Sequence, residues 1–364
     1  MGLSCGIVGL PNAGKSTIFN ALTSSNVPAE SYPFCTKDHH TAVAEVPDKR
    51  LQDIGRIFGV TNITPTHIEF VDIAGLVKNA HSGEGLGNRF LHYISEVDAI
   101  LHVVRCFEDG EVAHVEGRVD PVGDVEIINT ELLLADLEKA ERQIQKHVKV
   151  ATTGDKEAKR LVEVLTKIRD GLTRGTFARQ LGLEADEIEL VKDLFFLTLK
   201  PVLYVANIGE ADIKDPGPNL TELKRYLGQK GEPLIEIAGK LEAELTEFGE
   251  EDRASLLKDV GLAESGLTRL VRKGYELLGL ITFFTKERGD VRAWAIKHGT
   301  KAPQAAGKIH TDFERGFIKA EVFTYEELMR FQSEDELRKR GIVRTEGKDY
   351  VVQDGDIIQF KFNV

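Results

Sequence analysis

Apolar residues gather in short runs along the first two-thirds of the chain, at 3–10, 41–46, 67–73, 99–104, 201–208 and 234–238. More polar stretches with helix-like spacing separate most of them. Runs this short, bounded by turn formers, predict buried strands. Their alternation with helices predicts an α/β fold with a mainly parallel sheet and helices on both faces. Near 127 the period changes. Leu133, Leu137, Ala140, Ile144 and Val148 recur at intervals of four, three, four and four, and Leu161, Leu165, Ile168 and Leu172 at four, three and four. Thr152-Thr153-Gly154-Asp155 lies between the two series. One apolar stripe per helix, with a turn between them, predicts an antiparallel helical hairpin that projects from the sheet. After 280 the pattern changes again. Residues 291–296 alternate as a strand, and 302–310 read as a turn and a helix. Residues 350–352 and 356–362 read as closing strands around Gln353-Asp354-Gly355. The chain is therefore expected to divide into an α/β unit (1–127 with 198–279), a helical insertion (128–197) and a small mixed α/β module (280–364).

The first run leads into Gly9-Leu10-Pro11-Asn12-Ala13-Gly14-Lys15-Ser16, followed by Thr17 and a helix-like segment. This fits G-x-x-x-x-G-K-[ST] between a strand and a helix, the context in which the pattern cradles a polyphosphate. Glycine lets backbone N–H groups converge on a highly charged ligand, and the helix start adds unpaired donors and the positive end of its dipole. Lys15 is placed to reach the β- and γ-phosphates, and the Ser16 hydroxyl to take a Mg²⁺ coordination position. Asn12, Ala13, Gly14, Lys15, Ser16 and Thr17 are the candidate nucleotide-binding residues here.

The third run ends Asp72-Ile73-Ala74-Gly75. An aspartate at a strand end, joined to the phosphate loop at this separation, is a second Mg²⁺ ligand, and the Gly75 N–H can meet the γ-phosphate. Thr36, in the proline-broken loop before the second strand, stands where a first switch would bring an oxygen to the metal. Leu76 follows Gly75, where Ras-like hydrolases carry a water-orienting glutamine. Leucine cannot hydrogen-bond water, so water must be positioned from elsewhere or basal turnover is slow. The glycine-rich 81–87 segment reads as a second switch, and His114, in a polar loop after the fourth run, is a candidate for positioning water.

The fifth run delivers Asn207-Ile208-Gly209-Glu210. Guanine-specific relatives of such loops carry Asn-Lys-x-Asp. The aspartate accepts from guanine N1–H and the exocyclic amine, while the lysine stem packs on the base. Ile208 and Glu210 replace those two residues, so the guanine code no longer fits, and ATP is expected over GTP because a mismatched base leaves polar groups unpaired. Ala238 and Gly239, after the sixth run, should complete the base loop through their backbone.

The net charge of −12 over 364 residues excludes nucleic-acid binding through bulk electrostatics. It is unevenly spread. Residues 139–179 carry eleven basic and five acidic side chains, and 281–320 carry eight and four. Either is an ordinary solvated face or a contact for phosphate backbone, RNA above all. Cys5, Cys35 and Cys106 lack metal-ligand spacing, and with no apolar stretch near a membrane span's ~20 residues the expectation is a reduced, cytoplasmic protein without a membrane partner. The first strand starts within a few residues of Met1, leaving no room for a signal peptide.

Residues 9–16, 72–77, the glycines of 83–88, Asn207-Ile208-Gly209-Glu210 and the run Pro303-Gln304-Ala305-Ala306-Gly307-Lys308-Ile309-His310-Thr311-Asp312-Phe313 together resemble the YchF family of Obg-related P-loop ATPases, across the whole chain. The resemblance implies a translation-factor-type nucleotide domain, an inserted coiled coil and a C-terminal TGS domain of ubiquitin-like fold. It implies ATP hydrolysis that is slow unless stimulated, and association with ribosomes. The family's hydrophobic replacement of the catalytic glutamine falls on Leu76, and its loop histidine on His114. In related potassium-stimulated enzymes a P-loop asparagine holds K⁺, and Asn12 occupies that place. Lys240 departs from relatives that lack lysine there. Two other readings stay open: an Obg-type GTPase, and a binding protein that nucleotide regulates while hydrolysis is incidental.

Overall fold

The structure is a computed structural model that describes residues 3–24, 41–73, 86–110, 117–287 and 289–363. In chain order its strands are β1 (Ser4–Val8), β2 (Thr41–Glu45), β3 (Asn62–Thr64), β4 (His67–Asp72), β5 (Ala99–Arg105), β6 (Val202–Asn207), β7 (Leu234–Ile237), β8 (Leu280–Glu287), β9 (Asp290–Lys297), β10 (Phe317–Thr324), β11 (Arg344–Glu346) and β12 (Asp356–Phe362). The first helices are α1 (Lys15–Ser24), α2 (Lys49–Phe58), α3 (Leu86–Glu96), α4 (Pro121–Thr152) and α5 (Lys156–Thr173). The chain packs as two units, Met1–Val43 with Glu69–Leu270, and Ala44–Ile68 with Val271–Val364.

The first unit holds a sheet in the order β2-β4-β1-β5-β6-β7. The β1–β4, β1–β5, β5–β6 and β6–β7 pairs are all parallel. Parallel neighbours need crossover connections, which α-helices supply here. β5, β6 and β7 follow outward on one side of β1, while β2 and β4 lie on the other, so the connections reverse beside β1. This is the topological switch point, where ligands of such sheets bind beyond the carboxyl ends of the strands. Registers Ile7↔Asp72, Arg105↔Asn207 and Asn207↔Ile237 bring those ends level. Val8, Ile100, Val104, Tyr204 and Ala206 are buried in the core below.

The hairpin forms, but α4 starts earlier than 128. Pro121 occupies its first turn and Asp120 caps it, accepting from the Gly123 N–H at 2.9 Å. Val125, Ile128 and Leu132 join the sheet's core. Farther along, Leu137, Ala140 and Ile144 pack with Leu161, Leu165, Ile168 and Leu172. Val148, expected in this seam, is instead 41% exposed near the turn. At the hairpin's base the fully buried Asp136 accepts from the Leu197 N–H (3.0 Å), the Thr198 N–H (2.7 Å) and the Thr198 hydroxyl (2.6 Å).

The second unit is a mixed sheet, β11-β10-β12-β8-β9-β3, with the helix Ala302–Ile309 over Phe283, Ile296, Phe317 and Phe360. Residues 44–68 were expected in the α/β unit but fold here. β3 pairs in parallel with β9, and Leu51 and Ile54 of α2 enter a core with Phe284, Val291, Phe323 and Ile357. Arg50 bridges Asp48 (2.8 Å) and Asp354 (2.7 Å), and the Tyr325 hydroxyl donates to Asp53 (2.9 Å). The closing strand expected at 350–352 is reduced to a single bridge, Lys301↔Val351. Asp354 and Gly355 are taken up by Thr282 instead. No helix among the described residues is long and apolar enough to cross a membrane.

Candidate nucleotide site

The loop between β1 and α1 is shaped by what cannot fit beside it. Gly14 sits at φ +93°, and a Cβ there would lie 2.0 Å from Asn207 Nδ2. A Cβ on Gly9 would lie 2.4 Å from the Val103 carbonyl oxygen. Asn12 adopts φ +64°, a left-handed conformation that asparagine tolerates better than most residues. The first turn of α1 carries no acidic side chain, so its positive end is unmasked.

Lys15 is only 8% exposed, and its ammonium donates to the carbonyls of Gly9 (3.0 Å) and Leu10 (2.9 Å). Burial lowers its pKa, and the negative charge of Asp72 opposes that shift. The ammonium is thus held inside the loop on two neutral acceptors, which a phosphate's charged oxygens outbid as hydrogen-bond partners. Ser16 and Thr17 are exposed at the start of α1. Beneath the loop, His102 of β5 is buried beside Tyr204, with ring centroids 5.2 Å apart. Burial and the Lys15 charge push its pKa down to about 3, so it is a neutral floor to the site.

Asn207 ties the phosphate loop to the expected base loop. Its Nδ2 donates to the Ala13 carbonyl (2.9 Å), and its Oδ1 accepts from the Gly239 N–H (3.0 Å). Both amide ends are used in a side chain 4% exposed. Ala238 and Gly239 are buried at the end of β7, and Glu210 is exposed. Ile208, expected with Asn207 and Glu210 to shape the base site, is 6% exposed and packs in the core with Cys106, Leu220 and Ala238. Its backbone N–H donates to the Ile237 carbonyl at 2.9 Å. Thr36, Gly75, Leu76, His114 and the glycine-rich 81–87 segment lie outside the described residues.

Two shaping residues were missed from sequence. Asp212 accepts from the Gly209 N–H (3.1 Å) and the Gly217 N–H (2.9 Å), folding back the turn that presents Glu210. The run of Gly, Asp and Pro from 209 to 218 marks a turn in the sequence, though not which carboxylate closes it. Buried Arg105, at the end of β5, donates to the Phe107 (3.2 Å) and Asp109 (3.3 Å) carbonyls and lies over the Phe107 ring. Nothing in the local sequence marks it.

The oxygens offered are hard ones, the Ser16 hydroxyl and the Asp72 carboxylate at the end of β4. Mg²⁺ suits such a set, because it takes one or two protein oxygens and completes its shell with water and substrate phosphates. Ser16 and Asp72 would hold it, and when bound it would supply charge neutralisation at the β- and γ-oxygens.

A phosphate loop with a buried lysine at the switch point of a parallel sheet, tied by an asparagine to a second loop at the sheet's edge, defines a P-loop nucleoside triphosphatase. Comparison with known proteins agrees. A family model described as "50S ribosome-binding GTPase" matches residues 4–167, and one for the C-terminal domain of YchF GTPases matches 280–363. The chain is 48% identical to the ribosome-binding ATPase YchF of Haemophilus ducreyi and 46% identical to that of Bacillus subtilis, over the whole of each chain. The solved structure of the Schizosaccharomyces pombe YchF GTPase covers 99% of this chain, and this chain covers 97% of it, at 39% identity and a TM-score of 0.90. The chain belongs to the YchF family.

Proposed function

We propose that this protein is a cytoplasmic, Mg²⁺-dependent ATPase that acts as a nucleotide-controlled switch on the ribosome and prefers ATP to GTP. The observation that carries the reading is a complete phosphate loop beside a base loop, Asn207-Ile208-Gly209-Glu210, without the lysine and aspartate that read guanine. The names of the bacterial relatives, ribosome-binding ATPases, support it. Lys15 and the loop N–H groups bind the β- and γ-phosphates. Ser16, Thr36 and Asp72 serve Mg²⁺, and Gly75 senses the γ-phosphate. Asn207, Ile208, Glu210, Ala238 and Gly239 shape the base site. Asn12 offers an oxygen to K⁺. His114 positions water in place of the side chain that Leu76 lacks. The basic hairpin and the C-terminal module supply RNA contacts.

Single-turnover hydrolysis tests the enzymatic part. ATP cleavage should be slow alone, be lost in EDTA and accelerate when ribosomes are added. Rapid GTP cleavage with none of ATP would overturn the reading. Leu76 favours one alternative, a nucleotide-regulated binder with incidental hydrolysis, because activation in trans can be worth ~10³–10⁵ in rate and a leucine supplies none of it. Nucleotide-dependent pelleting with ribosomes, without any acceleration, would establish that alternative.

A further inference from the structure

Ala238 and Gly239 have no polar side chains, so their own side chains cannot fix the loop they form. Asn207 holds one side of it. Glu242, in the first turn of the helix Gly239–Leu245, holds the other. Glu242 is 2% exposed, and its carboxylate accepts the N–H groups of Gly266 and Leu267, at the start of the helix Gly266–Leu277. The fit is close: a Cβ on Gly266 would lie 2.9 Å from Glu242 Oε1. Arg269, one turn further on, donates to the Glu236 carbonyl at 3.0 Å, two residues before Ala238. The Glu242 N–H itself donates to the Ala238 carbonyl at 2.9 Å. The segment 236–242 is thus clamped at its start, middle and end. A buried carboxylate is costly to hold in place unless its acceptors are used, and an apolar side chain would fill the same space more cheaply.

We propose that Glu242 is a positioning residue for the nucleobase: it fixes Ala238 and Gly239 at the depth at which their backbone meets the base. This rests on the reading above that these two residues line a purine site. The hydrogen bonds that Glu242 makes among the described residues run to Ala238, Gly266 and Leu267, none of them in the phosphate loop, so its effect should fall on the base end of the ligand.

The test compares ATP with inorganic triphosphate, which has no base, in the full-length protein with Mg²⁺. Glu242→Gln is nearly isosteric but sets an NH₂ group against one of the two amide donors. It should weaken ATP about fivefold to tenfold and leave triphosphate within about twofold. Glu242→Asp, which restores the charge on a shorter stem, should recover part of the loss. A Glu242→Gln protein that melts earlier but binds ATP like the parent has lost only structure, and the proposal fails. It fails equally if ATP and triphosphate weaken together. Should the parent protein bind ATP no more tightly than triphosphate, the purine site itself is refuted, an outcome distinct from either.

Discussion

Lys15 shows how a charged side chain can be held in a buried loop. Its ammonium rests on the Gly9 and Leu10 carbonyls, in a loop whose backbone is forced close to Asn207 and Val103. Replacing it removes the cation but leaves only two carbonyls to be rehydrated. Lys15→Ala should therefore keep its far-UV spectrum and lose ATP affinity by about 100-fold to 10,000-fold, the effect of two charge-assisted hydrogen bonds. A titration showing less than a threefold loss would contradict the assignment. His102 gives a pH-dependent signature. The folded chain keeps its imidazole neutral down to about pH 3, whereas an unfolded chain takes up the proton near the ordinary 6.5. The stability this contributes is full above pH 6.5 and declines as pH falls toward 3. Compared with His102→Phe, the parent should lose about 1.4 kcal/mol of stability per pH unit across that window in urea titrations. Parallel pH profiles for the two proteins would show that the histidine is not held neutral.

At the scale of elements, the hairpin was legible as two apolar stripes and its start was not. The signal lay in Asp120 and Pro121, a cap and a first-turn proline upstream of the periodic stretch. Val148 continues the helical spacing but lies beyond the reach of α5's seam, so periodicity alone overcounted the core. Asp136 anchors the base of the hairpin through three short hydrogen bonds. Asp136→Ala strands two buried backbone N–H groups and should cost about 2–5 kcal/mol in denaturant unfolding. A change below 1 kcal/mol would mean water satisfies them. On the hairpin's distal half Lys146, Lys149, Lys156 and Lys159 are exposed, and none forms an ion pair among the described residues. Arg160 is engaged by Asp186 and Lys167 by Glu187. Changing Lys146, Lys149 and Lys156 to Gln should weaken co-sedimentation with ribosomes and flatten its dependence on salt, since fewer counterions are released. Unchanged sedimentation would remove the hairpin as a contact.

Across the whole molecule, the sequence predicted what local chemistry encodes. The strands of the first sheet fall within about two residues of the apolar runs, because a buried strand needs nothing but its own apolar side chains to be recognised. The assignment of 44–68 failed for the opposite reason. β3 is three residues long, and its partner β9 lies more than two hundred residues away, so the pairing leaves no local trace. In the candidate site, Lys15, Ser16 and Asp72 are proposed from motif alone. Glu242 carries no such signal, because the Gly266 amide it meets is twenty-four residues on and comes near only by folding. Asp212 and Arg105 act on backbone within five residues of themselves, but no motif says which side chain closes a turn. Ile208 shows the limit of reading by position: the place of a base-stacking lysine can be filled by a core residue.

The central claim is that a polyphosphate caged by the first loop carries an adenine chosen at the β6 and β7 ends. Calorimetric titration of the intact protein with MgATP and then MgGTP tests it most directly. The expected result is heat of association with ATP at an affinity at least about tenfold above that for GTP, about 1.4 kcal/mol or more. Tight GTP association with no measurable heat for ATP would contradict it.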